Sequence, residues 1–233
     1  MVGHVLSEKA GGVLTLTLNR PEKKNALTRA MYATLGGAID GAADDADVRC
    51  VLIQANGDMF TAGNDVADFA AASAGGTLEN AEANPLLAAL ARAKTPLVAA
   101  VHGRAVGVGT TMLLHCDLVY VAQDALLTTP FVNLALVPEA ASSLLLPARI
   151  GHARAFEMFV LGRAVDGVTA AAWGIANAAV PASGLRAAAR AGAEAIAAKP
   201  PSAVTITKAL MREAAEAFAA FTQKRAPDFS KVS

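Results

Sequence analysis

Leu97-Val98-Ala99-Ala100-Val101 runs into His102-Gly103-Arg104-Ala105-Val106-Gly107-Val108-Gly109, and the reading of this stretch decides the fold class. Five consecutive apolar residues read as a strand buried on both faces. Gly103 to Gly109 reads as a glycine-bearing turn that opens a helix through His115. Leu118-Val119-Tyr120-Val121-Ala122 then reads as another buried strand. Strand, turn, helix and strand in that order imply an α/β fold. The same reading extends upstream. Cys50 to Ala55 is a further buried strand, and Val13 to Leu18 alternates with period two, as a half-buried strand does. Thr28 is placed to cap a helix that runs to about Ala43, with Met31, Leu35, Ala38 and Ile39 at helical spacing. Met59 to Asp68 reads as irregular chain closing in a short helix, and Pro85 to Ala93 as helix. Leu126-Leu127-Thr128 reads as a short extra strand. Ala70 to Ala83 is small and polar without a period, so mobility is expected there. After Ala140 helices dominate, near 140–148, 151–161, 169–173, 184–198 and 201–220. The expected division is a core over 1–183 and a C-terminal helical region over 184–233.

Composition narrows the function classes. Of 233 residues, 54% are hydrophobic and 17% charged, with 20 basic against 20 acidic side chains. That balance argues against a nucleic-acid footprint, which needs clustered Lys and Arg. Alanine supplies about a quarter of the chain, which favours closely packed helices and subunit contacts over a bulky aromatic core. The longest uncharged run, Gly167 to Leu185, is broken by Gly174, Asn177, Pro181 and Ser183, so no membrane span is expected. Met1 to Gly12 carries Glu8 and Lys9 and no apolar signal core, and a cytoplasmic location is the expectation. Cys50 and Cys116 sit in apolar segments and read as buried thiols. The four scattered histidines offer no metal-ligand spacing.

Three segments place a turn of small residues at a helix start: Phe60 to Asp65, Gly103 to Gly109, and Val137 to Ser143. Unpaired N–H groups at such turns can hold a developing negative charge. From the glycines alone this signal is weak, and tight strand–helix packing is the simpler reading of them. Glu139 is the informative carboxylate. It is the sole charged residue between Asp124 and Arg149 and stands among Leu134, Leu136, Val137, Leu144 and Leu145. An apolar pocket makes a carboxylate a stronger proton acceptor. A glutamate stabilising a helix start is the alternative.

The order of motifs resembles the crotonase superfamily, the enoyl-CoA hydratase/isomerase proteins. Asn19-Arg20-Pro21-Glu22-Lys23-Lys24-Asn25-Ala26-Leu27, Phe60 to Asp65, and Ala99 to Gly109 are similar to its first three blocks. Leu161-Gly162 with Gly174-Ile175-Ala176-Asn177, and Lys224 to Phe229, are similar to its later ones. The resemblance implies a spiral of ββα units with a C-terminal helical trimerisation region, a homotrimer or dimer of trimers, and acyl-CoA thioester substrates. It implies no separate cofactor, because CoA is part of the substrate. It places the two oxyanion N–H donors at Ala62 and Val108. CoA contacts fall on Lys23, Lys24, Ala26, Ala62, Gly63, Asn64 and Asp65, with Val108 and Phe131 also against the substrate, and Phe221 and Lys224 at the adenine end.

Hydratases of this family carry two glutamates that activate water. Thr111 and Phe131 stand at those positions, so hydration by that route is not expected. The run from Thr129-Pro130-Phe131 through Leu136-Val137-Pro138-Glu139-Ala140-Ala141 is similar to Δ3,Δ2-enoyl-CoA isomerases of the peroxisomal type and their bacterial relatives, which implies Glu139 as the single base. The resemblance also has a departure: the region between Lys208 and Lys224 is shorter than the family's by about one helix. A hydratase or other crotonase-type enzyme, and a non-catalytic acyl-CoA-binding homologue, remain the alternatives.

Overall fold

The computed structural model describes residues 3–65, 67–68 and 84–222. The Ala70–Ala83 stretch, Lys224 and the Lys224–Phe229 block lie outside them, as does the side chain of Phe221.

Among the described residues nine strands form two sheets. In chain order the elements are β1 (Val5–Ala10), β2 (Val13–Leu18), α1 (Arg29–Asp44), β3 (Cys50–Ala55), α2 (Pro85–Arg92), β4 (Leu97–Val101), β5 (Arg104–Val106) and α3 (Val108–Thr111). Then come β6 (Leu118–Ala122), β7 (Leu126–Thr128), α4 (Ser142–Ile150), α5 (His152–Val160), β8 (Val165–Asp166), α6 (Gly167–Trp173), β9 (Ala178–Val180), α7 (Leu185–Ala197) and α8 (Pro201–Thr222). The larger sheet has the order β1-β2-β3-β4-β6-β9, parallel except for the β1–β2 pair. The smaller has the order β5-β7-β8. This is an α/β fold with mixed sheets and C-terminal helices. The chain leaves the large sheet after β4 and again after β6, adds a short strand to the small sheet each time, and then enters a helical turn or helix.

The buried runs become the central strands. β2, expected to be half-buried, is buried along its whole length, with Thr15 and Thr17 each 8% exposed. Its second face is covered because α7 lies across β2, β3, β4 and β6. The buried residues of α7 are Leu185, Ala189, Ala193 and Ala197, a stripe at helical spacing whose small side chains let the helix approach the sheet closely. On the other side, α1 buries Met31, Leu35 and Ile39, and Thr28 caps it by accepting the Met31 N–H.

Two expectations change. Gly103 to Gly109 is not turn alone: Arg104–Val106 forms β5 and pairs in parallel with β7. The helix expected from Ala140 begins at Ser142, because Ala140 and Ala141 both take a left-handed φ of 53°. Those two residues form a turn that presents Glu139. No helix among the described residues is long and apolar enough to cross a membrane.

Candidate active site

The site is assembled from three turns. The first is anchored by Asn25, fully buried with φ 52°. Its side-chain amide donates to the carbonyls of Asn56 (2.7 Å) and Met59 (3.0 Å), and its Oδ1 accepts the Arg20 N–H. Its backbone carbonyl accepts the Thr61 hydroxyl at 2.7 Å. Thr61 in turn lies along β5: its N–H donates to Arg104 O, and its carbonyl accepts from Val106 N. The 60–65 segment is therefore clamped between the 19–27 block and the small sheet.

This clamping corrects one assignment. The Ala62 N–H, expected as an oxyanion donor, already donates to Lys24 O at 2.9 Å. Leu27 and Asn64 form a parallel bridge, in which Leu27 N donates to Gly63 O and Asp65 N donates to Leu27 O. In such a bridge the N–H of Asn64 itself points to the opposite edge. It has no acceptor among the described residues. The free donor on this turn is Asn64, two residues beyond the expected one.

The second turn stands beside the first. A Cβ on Gly63 would come within 2.9 Å of Val106 O, and one on Gly109 would overlap the Thr61 side chain. Gly107 takes φ 56°, ψ −116°, a conformation that glycine supplies and side chains resist. It directs the chain into α3, whose first N–H groups, Val108 and Gly109, precede any acceptor within the helix. Val108 thus stays available as a donor, on a residue 3% exposed.

The third turn brings Glu139. Its Oε1 accepts from the Thr111 hydroxyl at 2.5 Å, and His115 Nε2 lies 2.9 Å from Ala140 O. Burial holds the Glu139 carboxyl above the ordinary glutamate range, and the Thr111 hydrogen bond opposes that shift only in part. Tyr32 closes the group. Its hydroxyl donates to Asn64 Oδ1, and burial together with the negative charge of Glu139 pushes its phenol upward. Asn64, Tyr32, Val108, Thr111 and Glu139 are thereby gathered from four separate segments. A backbone pair able to hold an oxyanion and a desolvated carboxylate is an arrangement suited to proton transfer next to a carbonyl.

The other expected residues divide. Lys24 and Ala62 line a cavity of about 570 Å³ with Met59, Arg104, Val106 and Leu126. Lys24 also pairs with Asp58 at 2.6 Å in an exposed contact, which contributes little. Lys23 is exposed, and Ala26 is half-buried with its carbonyl accepting from Arg20. Gly63 is buried at the bridge. Asp65 is occupied: it pairs with Arg20 at 2.5 Å and accepts from the N–H groups of Ala67 and Asp68. Phe131 is 6% exposed, with its ring 6.1 Å from that of Phe159. Cys50 and Cys116 are buried thiols, pushed up to about 12 by desolvation. Tyr32, Thr111 as a partner of Glu139, and the Asn64 N–H are the site features that the sequence reading did not assign.

Comparison with known proteins shows what the chain as a whole is similar to. The family model described as enoyl-CoA hydratase/isomerase matches residues 8–231. The chain is 35% identical to 1,2-epoxyphenylacetyl-CoA isomerase of Escherichia coli strain K12, over 75% of this chain and 69% of that protein. It is 35% identical to enoyl-CoA delta isomerase 2 of Rattus norvegicus over 90% of this chain, and spans about half (54%) of that relative's length. A crystal structure of an enoyl-CoA hydratase/isomerase from Pseudoalteromonas atlantica T6c superposes with a TM-score of 0.84 at 37% identity, covering 97% of this chain and 99% of that one.

Proposed function

The chain belongs to the enoyl-CoA hydratase/isomerase, or crotonase, family, and from that premise we propose that it converts 3-enoyl-CoA thioesters to trans-2-enoyl-CoA with Glu139 as the single base. The supporting observation is one desolvated carboxylate, held by Thr111, in the same site as two N–H donors without an acceptor among the described residues. The positions at which the resemblance expects hydratase glutamates hold Thr111 and Phe131 instead. No second carboxylate is therefore available there to hold water.

In this reading Glu139 removes a proton from C2 of the substrate. The electrons delocalise over the diene onto the thioester oxygen, and the N–H groups of Asn64 and Val108 stabilise that charge. The protonated Glu139 returns the proton at C4, so the double bond ends conjugated to the thioester. One carboxyl group serves both steps because C2 and C4 lie within its reach on one side. Removing a single donor of this kind costs about 2.7–4 kcal/mol in the transition state. Lys23, Lys24 and Ala26 are proposed to meet the CoA portion.

The test is turnover of a panel of 3-enoyl-CoA thioesters, read by growth of the conjugated thioester absorbance. Glu139→Gln keeps the shape and removes the base, and a loss of about 10²-fold or more is expected. Near-wild-type activity in that variant would sink the reading. Loss of the same absorbance with crotonyl-CoA in water would favour a hydratase instead. The epoxide thioester named for the Escherichia coli relative belongs in the same panel.

A further inference from the structure

The turn that carries Glu139 is closed by one internal hydrogen bond, from Ser142 N–H to Glu139 O at 2.9 Å, across two residues in a costly conformation. Ala140 and Ala141 follow it in left-handed conformation, which costs a non-glycine residue on the order of 1 kcal/mol or more. Such a turn persists only where its surroundings fix it. Here one short segment does so at two points. Thr111, the last residue of α3, donates its hydroxyl to Glu139 Oε1 at 2.5 Å, and His115, four residues on, reaches Ala140 O at 2.9 Å. Thr111 is fully buried, and its hydroxyl has a second acceptor only at 3.4 Å, the carbonyl of Val108. The same residue pair thus ties the base to the helical turn that presents the Val108 donor.

We propose that Thr111 is the positioning residue of Glu139: its hydroxyl holds Oε1, so that Oε2 is the oxygen that meets the substrate and carries the proton from C2 to C4. This rests on Glu139 being the base. A hydroxyl donor to Oε1 suits both states of that base, because Oε1 accepts when the group is ionised and still accepts, as the carbonyl oxygen, when the proton sits on Oε2. The carboxyl group therefore turns about a fixed oxygen and does not exchange its two oxygens between the two half-reactions. Other groups facing this region do not supply the same contact. Tyr32, from α1, donates to Asn64 Oδ1, and the His115 ring, whose charged form burial disfavours, faces a backbone carbonyl.

The experiment compares Thr111→Val, which keeps the volume and removes the hydroxyl, with Thr111→Ser, which restores it, in the full chain. The Glu139 carboxyl is titrated by infrared difference spectroscopy, with Glu139→Gln as the blank that assigns its band, and steady-state kinetics are run on a 3-enoyl-CoA. Thr111→Val is expected to raise the Glu139 midpoint and move the acidic limb of the kcat profile the same way. It is also expected to lower kcat about tenfold with KM unchanged. Thr111→Ser is expected to return all three toward wild type. Should the valine variant fold poorly, Thr111→Ala removes the same hydroxyl without added bulk. An unmoved Glu139 midpoint, or a moved midpoint with unchanged kcat, overturns the positioning role alone, provided Glu139→Gln is inactive. An active Glu139→Gln overturns the base and the positioning role together.

Discussion

Burial holds the Glu139 carboxyl above the ordinary glutamate range, and that one shift acts on activity and stability in opposite directions. A base must be ionised to work, so kcat/KM for the isomerisation is expected to rise with pH through a midpoint above that of a free glutamate. Stability runs the other way. A carboxyl whose folded pKa lies above its unfolded one favours the fold below the unfolded pKa, and that contribution is lost as pH rises through the folded pKa. Glu139→Gln is therefore expected to melt higher than wild type at pH 8, by about 2–4 °C if about 1 kcal/mol is recovered, and to show no advantage near pH 4. Thermal melts at the two pH values check this. Asn25 is the opposite kind of residue, since its amide makes three hydrogen bonds in a fully buried place. Asn25→Ala leaves the carbonyls of Asn56 and Met59 and the Arg20 N–H without it, and a loss of about 2–4 kcal/mol in urea unfolding is expected. At this scale Glu139 was legible because an isolated charge in an apolar run is visible in a string of letters. The proposed oxyanion donor was not, because a backbone N–H has no residue type. Only the bridge between Leu27 and Asn64 shows that the turn leaves the N–H of Asn64, not that of Ala62, without an acceptor among the described residues.

At the scale of elements, α8 is anchored among the described residues by the Lys208–Asp117 ion pair and by Arg212, whose guanidinium donates to Ala91 O at 3.1 Å. Lys208 is 8% exposed, and its ammonium donates to Asp117 Oδ2 at 2.7 Å and to Thr95 O at 2.9 Å. The same Asp117 oxygen accepts the N–H of Leu97, the first residue of β4. Burial lowers the Lys208 pKa and Asp117 opposes that, so the pair holds the helix only while both partners are present. Asp117→Ala strands the lysine, and a loss of about 3 kcal/mol is expected, with α8 amides exchanging faster than those of α7. A change below about 1 kcal/mol would mean that solvent screens the pair, since the Asp117 side chain is 33% exposed. The elements found from sequence were those with their own signal. β2, β3, β4 and β6 are runs of five or six residues dominated by apolar types, and α1 carries both a cap and a helical stripe. β8 and β9 span two and three residues, and β1 is an edge strand with exposed side chains, so none of them has a hydrophobic period to read. Their positions are set by pairing with β7, β6 and β2, which is tertiary information.

Over the whole molecule, the abundance of alanine finds a partial explanation in α7, where it allows close approach to the sheet, but the exposed surface asks for another. Val137 is 80% exposed, Leu134 65%, Leu144 54% and Phe156 54%. These side chains belong to neighbouring pieces, because α4 packs on α5, and α5 on the 3-10 turn Val132–Leu134. Leu134, Val137 and Leu144 lie within five residues of Glu139 in sequence, in a chain with few charges to keep such a face in water. An apolar surface of this kind marks a place of association. A second copy of the chain is the simplest partner, because burying the face against itself needs no other molecule. The expected result is a particle several times the mass of one chain by light scattering after size exclusion. Leu134→Asp combined with Phe156→Asp is expected to shift it toward the single-chain mass, by charging a face that must be dry when covered. If the wild-type chain runs as a monomer at micromolar concentration, this face instead serves the acyl tail or another partner. Adding a long-chain acyl-CoA should then protect Leu134 and Leu144 amides from hydrogen exchange.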